Sequence, residues 1–279
     1  MHPGRLLTAA GFVFVGLVAC QQEPAVTNPP LEPEETAAEI QFQDSPTLAA
    51  VLDPNLVLPE VKKQEDPVCP DGMVLVDGEY CPNVEQRCLK YMDPPGRYEY
   101  FRCAEYAQPA TCKGPRKHLR FCMDRDEYVK PGETLPANYQ SWTMAEKTCT
   151  GLGKRVCMES EYNFACEGEE MRPYPYGFKR DPTACNADHF DVVGKDGKLR
   201  DMRVPPGTYP RCESPFGVRD LSGNLEEFVT IDGSTPERPA MKGAYWQPSR
   251  NFCRAAQTAH DRYYNGTETG FRCCSDTLR

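Results

Sequence analysis

Three features are rare or absent in this sequence. The first absence is that positively charged residues do not outnumber negatively charged ones. The 279 residues include 32 Lys or Arg and 41 Asp or Glu, so the formal net charge is −9. Proteins that bind nucleic acid present a basic patch or stripe. The composition therefore argues against nucleic acid as a partner.

Long apolar runs and histidines are also rare. The longest apolar run covers residues 6–18, which is too short to span a bilayer as a helix. After residue 20 the only histidines are His118, His189 and His260, and no CxxC pair repeats at metal-site spacing. A zinc site is therefore not expected.

The first residues read "MHPGRLLTAAGFVFVGLVAC", with one positive charge at Arg5 before the apolar run. This pattern predicts a secretory signal peptide over residues 1–19. The last four residues quoted, 17–20, are similar to the bacterial lipoprotein box, whose cysteine is lipidated, although an ordinary cleavage site with a chance cysteine is the alternative. The residue after that cysteine is Gln21 and not an aspartate, which resembles the sorting signal of lipoproteins of the outer membrane. We therefore expect lipid at Cys20 to hold the protein in the cell envelope, on the outer membrane.

Residues 20–66 have the composition of a tether. From residue 21 onward they include ten Asp or Glu, two Lys and seven Pro, with almost no aromatic side chains. Such a segment cannot bury enough surface to offset its chain entropy, so it is expected to be disordered. Residues 67–279 retain 31 acidic and 29 basic residues and form one nearly neutral domain.

Cysteine is abundant in that domain. Fourteen of the 15 cysteines lie between Cys69 and Cys274. An even number in an exported domain predicts disulfides, here up to seven. The adjacent Cys273 and Cys274 cannot bond each other without strain, so each is expected to bond elsewhere, but connectivity does not follow from spacing alone.

Regular structure is expected to be sparse. The alternating segments "GMVLVDGEY" and "LRFCMDRDEYV" predict strands, and "KGAYW" and "TGFRCC" predict shorter ones. Thr143 and Glu146 have capping-box spacing, which predicts a helix from about Met144 to Leu152. A second helix is predicted over 159–167, followed by a glycine. Two helices in a loop-rich, disulfide-rich chain indicate an α+β domain.

Several motifs occur in the order typical of one family. These are "GMVLVDGEY", "WTMAEKTCTGLGKRVCMESEYNFACEG", "YPYG", "CNAD", "PPGTYPRCESPFGVRDLSGNLEEFV", "KGAYW" and "TGFRCC". Over most of residues 70–275 the chain resembles the formylglycine-generating enzyme family, also called the sulfatase-modifying factor family. The resemblance implies an irregular C-type-lectin-like fold. A cysteine-rich segment at about 81–117 has no counterpart in the family and is interpreted as an insertion.

The resemblance also implies disulfide pairs. It pairs Cys149 with Cys273 and Cys166 with Cys253. Two further pairs are guesses by position, Cys157 with Cys274 and Cys185 with Cys212. The other six cysteines of the domain would then pair among themselves.

The segment "DLSGNLEE" suggests a calcium site. Read alone, it is more often a plain turn capped by an aspartate. The family's structural calcium motif maps onto the side chains of Asp220 and Glu227 and the carbonyls of Gly223 and Leu225, the kind of oxygen ligands that calcium takes.

A second calcium site of the family begins in "CNAD", at Asn186 and the carbonyl of Ala187. Its downstream acid is ambiguous among Asp191, Asp196 and Asp201. Either ion would be structural.

The reactive cysteines of the family are missing. Its active members oxidise a cysteine of a substrate sulfatase to formylglycine with two active-site cysteines and a copper ion, because thiolates are the soft ligands that select Cu(I). Here the corresponding interval between Tyr245 and Cys253 is "WQPSRNF", shorter and without cysteine. Gln247 stands near the place of the first cysteine. Copper is therefore not expected.

Other side chains could line the same cleft, and each has a plainer interpretation. The candidates are Trp246, Gln247, Ser249, Arg250 and His260. His260 beside Asp261 suggests acid–base chemistry, but a lone surface histidine is the simpler interpretation.

The arginines and aromatic residues of this region also have two interpretations. Arg250 and Arg254 could hold a carboxylate or phosphate, whereas arginines paired with nearby acids are commoner. Trp246 with three tyrosines could stack against a sugar or peptide, or form a half-buried aromatic cluster. The tyrosines are Tyr245, Tyr263 and Tyr264.

Two functions are compatible with this sequence. The first is a non-catalytic lipoprotein that serves as a binding or structural module of the cell envelope, with a protein, peptide or glycan ligand. The second is an enzyme of the family with altered chemistry, a copper-dependent oxidase or another protein-modifying enzyme with a relocated active site. The second would need two accessible thiols near Trp246.

Overall fold

The computed structural model describes residues 68–278. The predicted signal peptide, the lipidation site at Cys20 and the tether up to residue 66 lie outside the described residues. Within residues 68–278, no helix combines the length and apolar character needed to cross a membrane.

The described part of the chain contains two helices and short strands. In chain order the elements are β1 Met73–Tyr80, β2 Val84–Glu85, β3 Cys88–Tyr91, β4 Cys103–Tyr106, β5 Thr111–Cys112, β6 Lys117–Asp124, α1 Trp142–Gly151, β7 Arg155–Val156, α2 Glu159–Glu167, β8 Glu226–Thr230, β9 Pro239–Lys242, β10 Ala256–Gln257, β11 Thr269–Gly270 and β12 Cys273–Ser275. The long stretches without regular structure confirm the prediction of a loop-rich α+β domain.

Two four-stranded sheets form the framework. The first has the order β1-β6-β12-β7, and β1 pairs with β6 along its whole length, from Met73 opposite Asp124 to Tyr80 opposite Lys117. The second has the order β10-β9-β8-β11, in which β11 runs parallel to β8. Since β11 and β12 are neighbours in sequence, the C-terminal segment connects the two sheets.

The predicted strand "KGAYW" is wrong in its position. Strand β9 covers Pro239–Lys242 and therefore ends where the prediction begins. Gly243 and Ala244 have φ values of 81° and 55°. A left-handed conformation at two consecutive residues ends the pleated ladder, so the chain turns away from the sheet. A side chain at Gly243 would also lie 2.5 Å from the Tyr162 hydroxyl.

The two helices compare differently with their predictions. Helix α2 has its predicted bounds, and the Glu161 carboxylate accepts a hydrogen bond from the Met158 amide at 2.8 Å. Helix α1 begins two residues before the predicted start. Its N-cap is Ser141, whose hydroxyl accepts from the Met144 amide at 3.3 Å, whereas the Thr143 hydroxyl donates to the Arg262 carbonyl. The serine two positions upstream therefore takes the capping role predicted for Thr143.

Seven disulfides join these elements. The structure bonds the four pairs named from the sequence, and the other six cysteines pair among themselves. The complete set is Cys69–Cys122, Cys81–Cys112, Cys88–Cys103, Cys149–Cys273, Cys157–Cys274, Cys166–Cys253 and Cys185–Cys212.

The core lies between the helices and the two sheets. One cluster of buried side chains surrounds Phe164 of α2 and includes Val76 and Phe121 of the first sheet. A second surrounds Trp142 of α1 and includes Phe228 and Phe271 of the second sheet region. Helix α1 therefore buries one face, whereas α2 is buried on all sides over residues 161–167, and one disulfide anchors each helix.

Candidate functional site

The stretch after β9 crosses the end of the second sheet. It leaves the sheet at the left-handed pair Gly243–Ala244 and rejoins it at β10. Cys253, just before β10, is fully buried and bonded to Cys166. The Cys253 amide donates to the Pro173 carbonyl at 2.7 Å. The one cysteine of this stretch is therefore a structural anchor.

A cavity of about 110 Å³ opens between this stretch and the second sheet. Strands β8 and β10, the loop between β9 and β10 and the cysteine-rich insertion all contribute to its wall. The lining residues are Phe101, Glu226, Ala244, Ser249, Arg250, Ala255, Ala256 and Gln257. No cysteine is among them.

Two of the five cleft candidates from the sequence line this cavity, Ser249 and Arg250. Trp246 does not, because its side chain is fully buried against Val192 and Leu225. The left-handed turn directs Trp246 inward, where it fills the gap beneath the loop, so the prediction that it lines a cleft is wrong.

His260 lies in a different place. Together with Asp261 and Tyr263 it borders a separate groove beside Pro236. Its ring stacks on Tyr264 with 3.6 Å between centroids. The prediction that His260 shares a cleft with Ser249 and Arg250 is therefore wrong, since the turn after β10 carries it away.

The predicted tyrosines separate as well. Tyr245 packs edge-on against Trp246, and Tyr264 donates from its hydroxyl to Glu268 at 2.6 Å. Tyr263 is 68% exposed. Gln247 is half-buried beside Tyr245 and is absent from the cavity wall. Tyr245 and Tyr264 are therefore half-buried against two different clusters of side chains, one around Trp246 and one around Trp142.

Glu226 is the residue of the cavity that sequence reasoning missed. Its carboxylate makes no hydrogen bond or ion pair among residues 68–278. Burial and, to a smaller extent, the nearby Glu268 carboxylate together raise the pKa of Glu226 to about 7. The signal in the sequence was the acidic pair that opens "EEFVT", because neighbouring residues of a strand face opposite sides. Glu227 faces the core, and Glu226 faces the cavity.

The two arginines of this stretch have different surroundings. Arg254 makes an ion pair with the buried Glu167, with 2.7 Å from Nε to Oε2, as the commoner interpretation of such arginines holds. The Arg250 guanidinium has no carboxylate oxygen within 4.0 Å among the described residues, and it lies 5.1 Å from the centre of the Phe101 ring. Arg250 is therefore available to an anionic group at the cavity mouth.

The first expected calcium position contains a buried group of carboxylates. Both Glu227 oxygens accept from Arg272, at 2.6 and 2.7 Å. Glu127 lies beside them, and its pKa is raised first by burial and then by the charges of Glu227 and Asp220. One arginine therefore lies among three buried carboxyl groups, and this excess of acids favours the binding of a cation.

Of the four groups expected to hold the first ion, Glu227 is already bound through both oxygens by Arg272, whereas the other three have available oxygens. The Gly207 amide donates to one carboxylate oxygen of Asp220 at 2.9 Å, and the other oxygen, Oδ1, is buried without a partner. Burial raises the pKa of Asp220 to about 6. The carbonyls of Gly223 and Leu225 accept no backbone hydrogen bond among residues 68–278. These oxygens fit a hard cation such as calcium.

The second expected calcium position does not fit. The Asn186 side chain is engaged through both ends, with 2.9 Å from its oxygen to His189 Nε2 and 2.9 Å from its nitrogen to Asn224 Oδ1. Each of the three candidate acids has another hydrogen-bond partner. Asp191 pairs with an arginine, Asp201 pairs with another, and Asp196 accepts from the backbone of its own turn.

Copper has no thiolate ligand in this domain. All fourteen cysteines from Cys69 to Cys274 form disulfides. Within residues 68–278, no three His, Cys, Asp or Glu side chains converge in an arrangement that could hold a metal ion. The donor set therefore does not fit the copper centre that the resemblance implies for active members.

Comparison with known proteins identifies the family. The family described as sulfatase-modifying factor enzyme 1-like domain matches residues 98–277. The formylglycine-generating enzyme of Mus musculus is 25% identical over 173 residues, 51% of this chain and 45% of that protein. The inactive C-alpha-formylglycine-generating enzyme 2 of Bos taurus is 28% identical over 117 residues, 40% of this chain and 38% of that protein. Among solved structures, PvdO from Pseudomonas aeruginosa has 17% identity and a TM-score of 0.48, covering 76% of this chain and 97% of that chain.

The observed fold is an irregular, loop-rich α+β domain with few helices and several disulfides. This chain is a member of the formylglycine-generating enzyme-like family, as the order of its motifs predicts. It spans less than half the length of the two curated relatives given above. One of them is named as an enzyme and the other as inactive, so membership establishes the fold and leaves the activity open.

Proposed function

We propose that this protein is a lipid-anchored binding module of the cell envelope that lacks the oxidase chemistry of its family. The observation that carries the proposal is the complete pairing of the fourteen domain cysteines. A thiol that attacks or binds copper must be present as a thiolate. The one cysteine in the stretch that corresponds to the active site, Cys253, is bonded to Cys166 and fully buried.

A surface on the insertion supports a binding role. Strands β3 and β4 form a hairpin that the Cys88–Cys103 disulfide closes. Its large apolar side chains are between 39% and 71% exposed. We call them the aromatic ledge: Leu89, Tyr91, Met92, Tyr98, Tyr100 and Phe101. Contiguous exposed apolar surface is typical of interaction sites.

The aromatic ledge adjoins the cavity. Phe101 belongs to both, because its ring lines the cavity and lies under the Arg250 guanidinium. Tyrosine supplies a large apolar surface with a polar end and is common where proteins bind peptides or sugars. We infer that the ledge and the cavity form one site for a protein, peptide or glycan ligand.

The first experiment counts accessible thiols in the full-length protein. Intact mass is measured after alkylation without reductant, and again after graded mild reduction. We expect no labelling until the protein unfolds, whereas the reduced and denatured control should gain fourteen labels in the domain. If one pair opens early and then binds Cu(I), the family-type enzyme with a relocated active site becomes the better conclusion.

A second experiment tests the location. A Cys20→Ser variant removes the residue that the lipoprotein box would modify. We expect it to leave the outer-membrane fraction while its domain unfolds at an unchanged temperature. Retention of the variant in that fraction would contradict anchoring through Cys20.

A further inference from the structure

The cavity between β8, β10 and the loop after β9 contains two opposite charges that have no partner of their own. Glu226 and Arg250 both line it, and neither makes an ion pair among residues 68–278. An acid and a base without partners in one cavity point to a ligand that carries both an ammonium group and a carboxylate.

The positions of the two charges order them along the cavity. Glu226 is half-buried at the start of a central strand, with the small side chains of Ala244 and Ala256 beside it. Arg250 is exposed and stacks on Phe101. The carboxyl group therefore lies at the floor of the cavity, and the guanidinium group lies at its mouth.

The volume limits what enters. The cavity of about 110 Å³ is small beside the roughly 300–1,000 Å³ of ordinary ligand pockets, so it admits a small polar head group and not a whole drug-sized ligand. Ser249 and Gln257 add a hydroxyl and an amide to the wall, which can satisfy the remaining polar atoms.

We propose that this cavity binds the head group of an α-amino acid, with its ammonium group against Glu226 at the floor and its carboxylate against Arg250 at the mouth. The Arg250 guanidinium suits a carboxylate because its planar donors match the two oxygens. The aromatic ledge then receives whatever the head group is attached to.

Ligands with a single charge fit this arrangement less well. A simple amine would pair with Glu226 but would leave Arg250 without a partner at the mouth of the cavity. A simple carboxylate would satisfy Arg250 but would leave the buried Glu226 without a cation, beside the second acid Glu268. Only a ligand that carries both charges neutralises both groups at once.

This inference rests on the proposed binding function and specifies its ligand class. The probes are glycine, glycinamide, which keeps the ammonium group only, and N-acetylglycine, which keeps the carboxylate only. Binding to the full-length protein is measured by NMR titration at constant pH and ionic strength. We expect glycine to bind at least tenfold more tightly than either of the other two.

Two variants and one control sharpen the test. Glu226→Gln keeps the size of the side chain, Arg250→Gln replaces the guanidinium by a shorter neutral amide, and each should weaken glycine binding at least tenfold. His260→Gln, in the separate groove, should leave it unchanged. Unfolding temperatures establish that all three variants are folded.

The outcomes separate the two proposals. Glycinamide binding as tightly as glycine, or an Arg250→Gln variant that binds glycine normally, would overturn the assignment of an amino-acid head group. The absence of glycine binding would also overturn it. In each case the alkylation result would still decide whether the domain is a thiol-free binding module, so the failure of one proposal is distinguishable from the failure of the other.

Discussion

The framework of this domain and its insertion both contain disulfides, but the disulfides act on different surroundings. In the framework, Cys149–Cys273 and Cys166–Cys253 join residues 124 and 87 positions apart, and all four cysteines are fully buried among packed side chains. In the insertion, Cys88–Cys103 joins residues 15 positions apart, across a hairpin whose large apolar side chains are exposed.

The comparison shows that a disulfide can either reinforce a core or replace one. A short hairpin cannot bury enough apolar surface to be stable alone. Closing a 15-residue loop stabilises by about 3 kcal/mol in the chain-entropy model. The Cys88–Cys103 bond therefore lets the insertion present its aromatic residues to solvent, where a ligand can reach them.

The largest expected effect concerns the buried charges of the framework. Arg272→Met leaves Glu227 without its guanidinium, beside the buried Glu127, and should lower the free energy of unfolding by about 3–5 kcal/mol. Arg200→Met breaks the exposed pair with Asp191 and should cost less than about 1 kcal/mol. Denaturant unfolding of both variants provides the measurement, and equal losses would contradict the distinction.

Removing one disulfide from each region tests the comparison directly. The double substitution of Cys166 and Cys253 by Ala should lower the midpoint of global unfolding. The same change at Cys88 and Cys103 should cost about 3 kcal/mol of local stability in the hairpin. Hydrogen exchange should show it as faster exchange confined to β3 and β4. A fall in global stability equal to that of the framework variant would show that the insertion is part of the cooperative core.

Calcium should act on the framework and not on the insertion. At one hundred times its dissociation constant, an ion that binds only the folded state stabilises it by about 2.7 kcal/mol. We expect calcium to raise the unfolding temperature and a chelator to reverse the rise. Asp220→Asn should abolish the effect, and the matched change Asp196→Asn should preserve it. An unfolding temperature that does not respond to saturating calcium would rule out a structural ion at Asp220.

The smallest expected effect is a gain in stability. Lys242 is fully buried, with its Nζ 3.3 Å from Glu159, and burial lowers its pKa from the ordinary 10.5 to about 8. Lys242→Met should raise the free energy of unfolding by about 1 kcal/mol at pH 7, because it removes a desolvated charge.

The pH dependence of this gain has a definite sign. Between pH 8 and 10.5 the unfolded chain holds a proton on Lys242 that the folded chain has lost, so the stability of the natural protein rises with pH through that window. The difference between Lys242→Met and the natural protein should therefore shrink from pH 8 to 10.5. Thermal unfolding at several pH values measures it, and a constant difference would contradict the burial of a charged lysine.

Local signals made several features predictable. Helix α2 has its predicted bounds because its first-turn acids and the glycine after it act within a few residues. The start of α1 was misplaced because Ser141 and Thr143 are both good caps, and only the contact between Thr143 and the Arg262 carbonyl distinguishes them. Sequence spacing cannot show a contact between residues more than a hundred positions apart.

The candidate site was predicted in part for a related reason. Ser249 and Arg250 reached the cavity, whereas Trp246 entered the core and His260 entered another groove. The left-handed turn at Gly243–Ala244 decides which side chains of the stretch point inward. Glycine permits such a turn, but the alanine at φ 55° adopts it only within the assembled structure.

The sequence by itself determined the family, the order of the motifs, the number of disulfides that could form and the loss of the reactive cysteine pair, since each depends on residue identity alone. The tertiary structure decided which charges meet. It paired Arg254 with Glu167 and Arg272 with Glu227, and it left Glu226 and Arg250 without partners in one cavity. Charges interact through space, and their distances are fixed only when the two sheets and the insertion pack together.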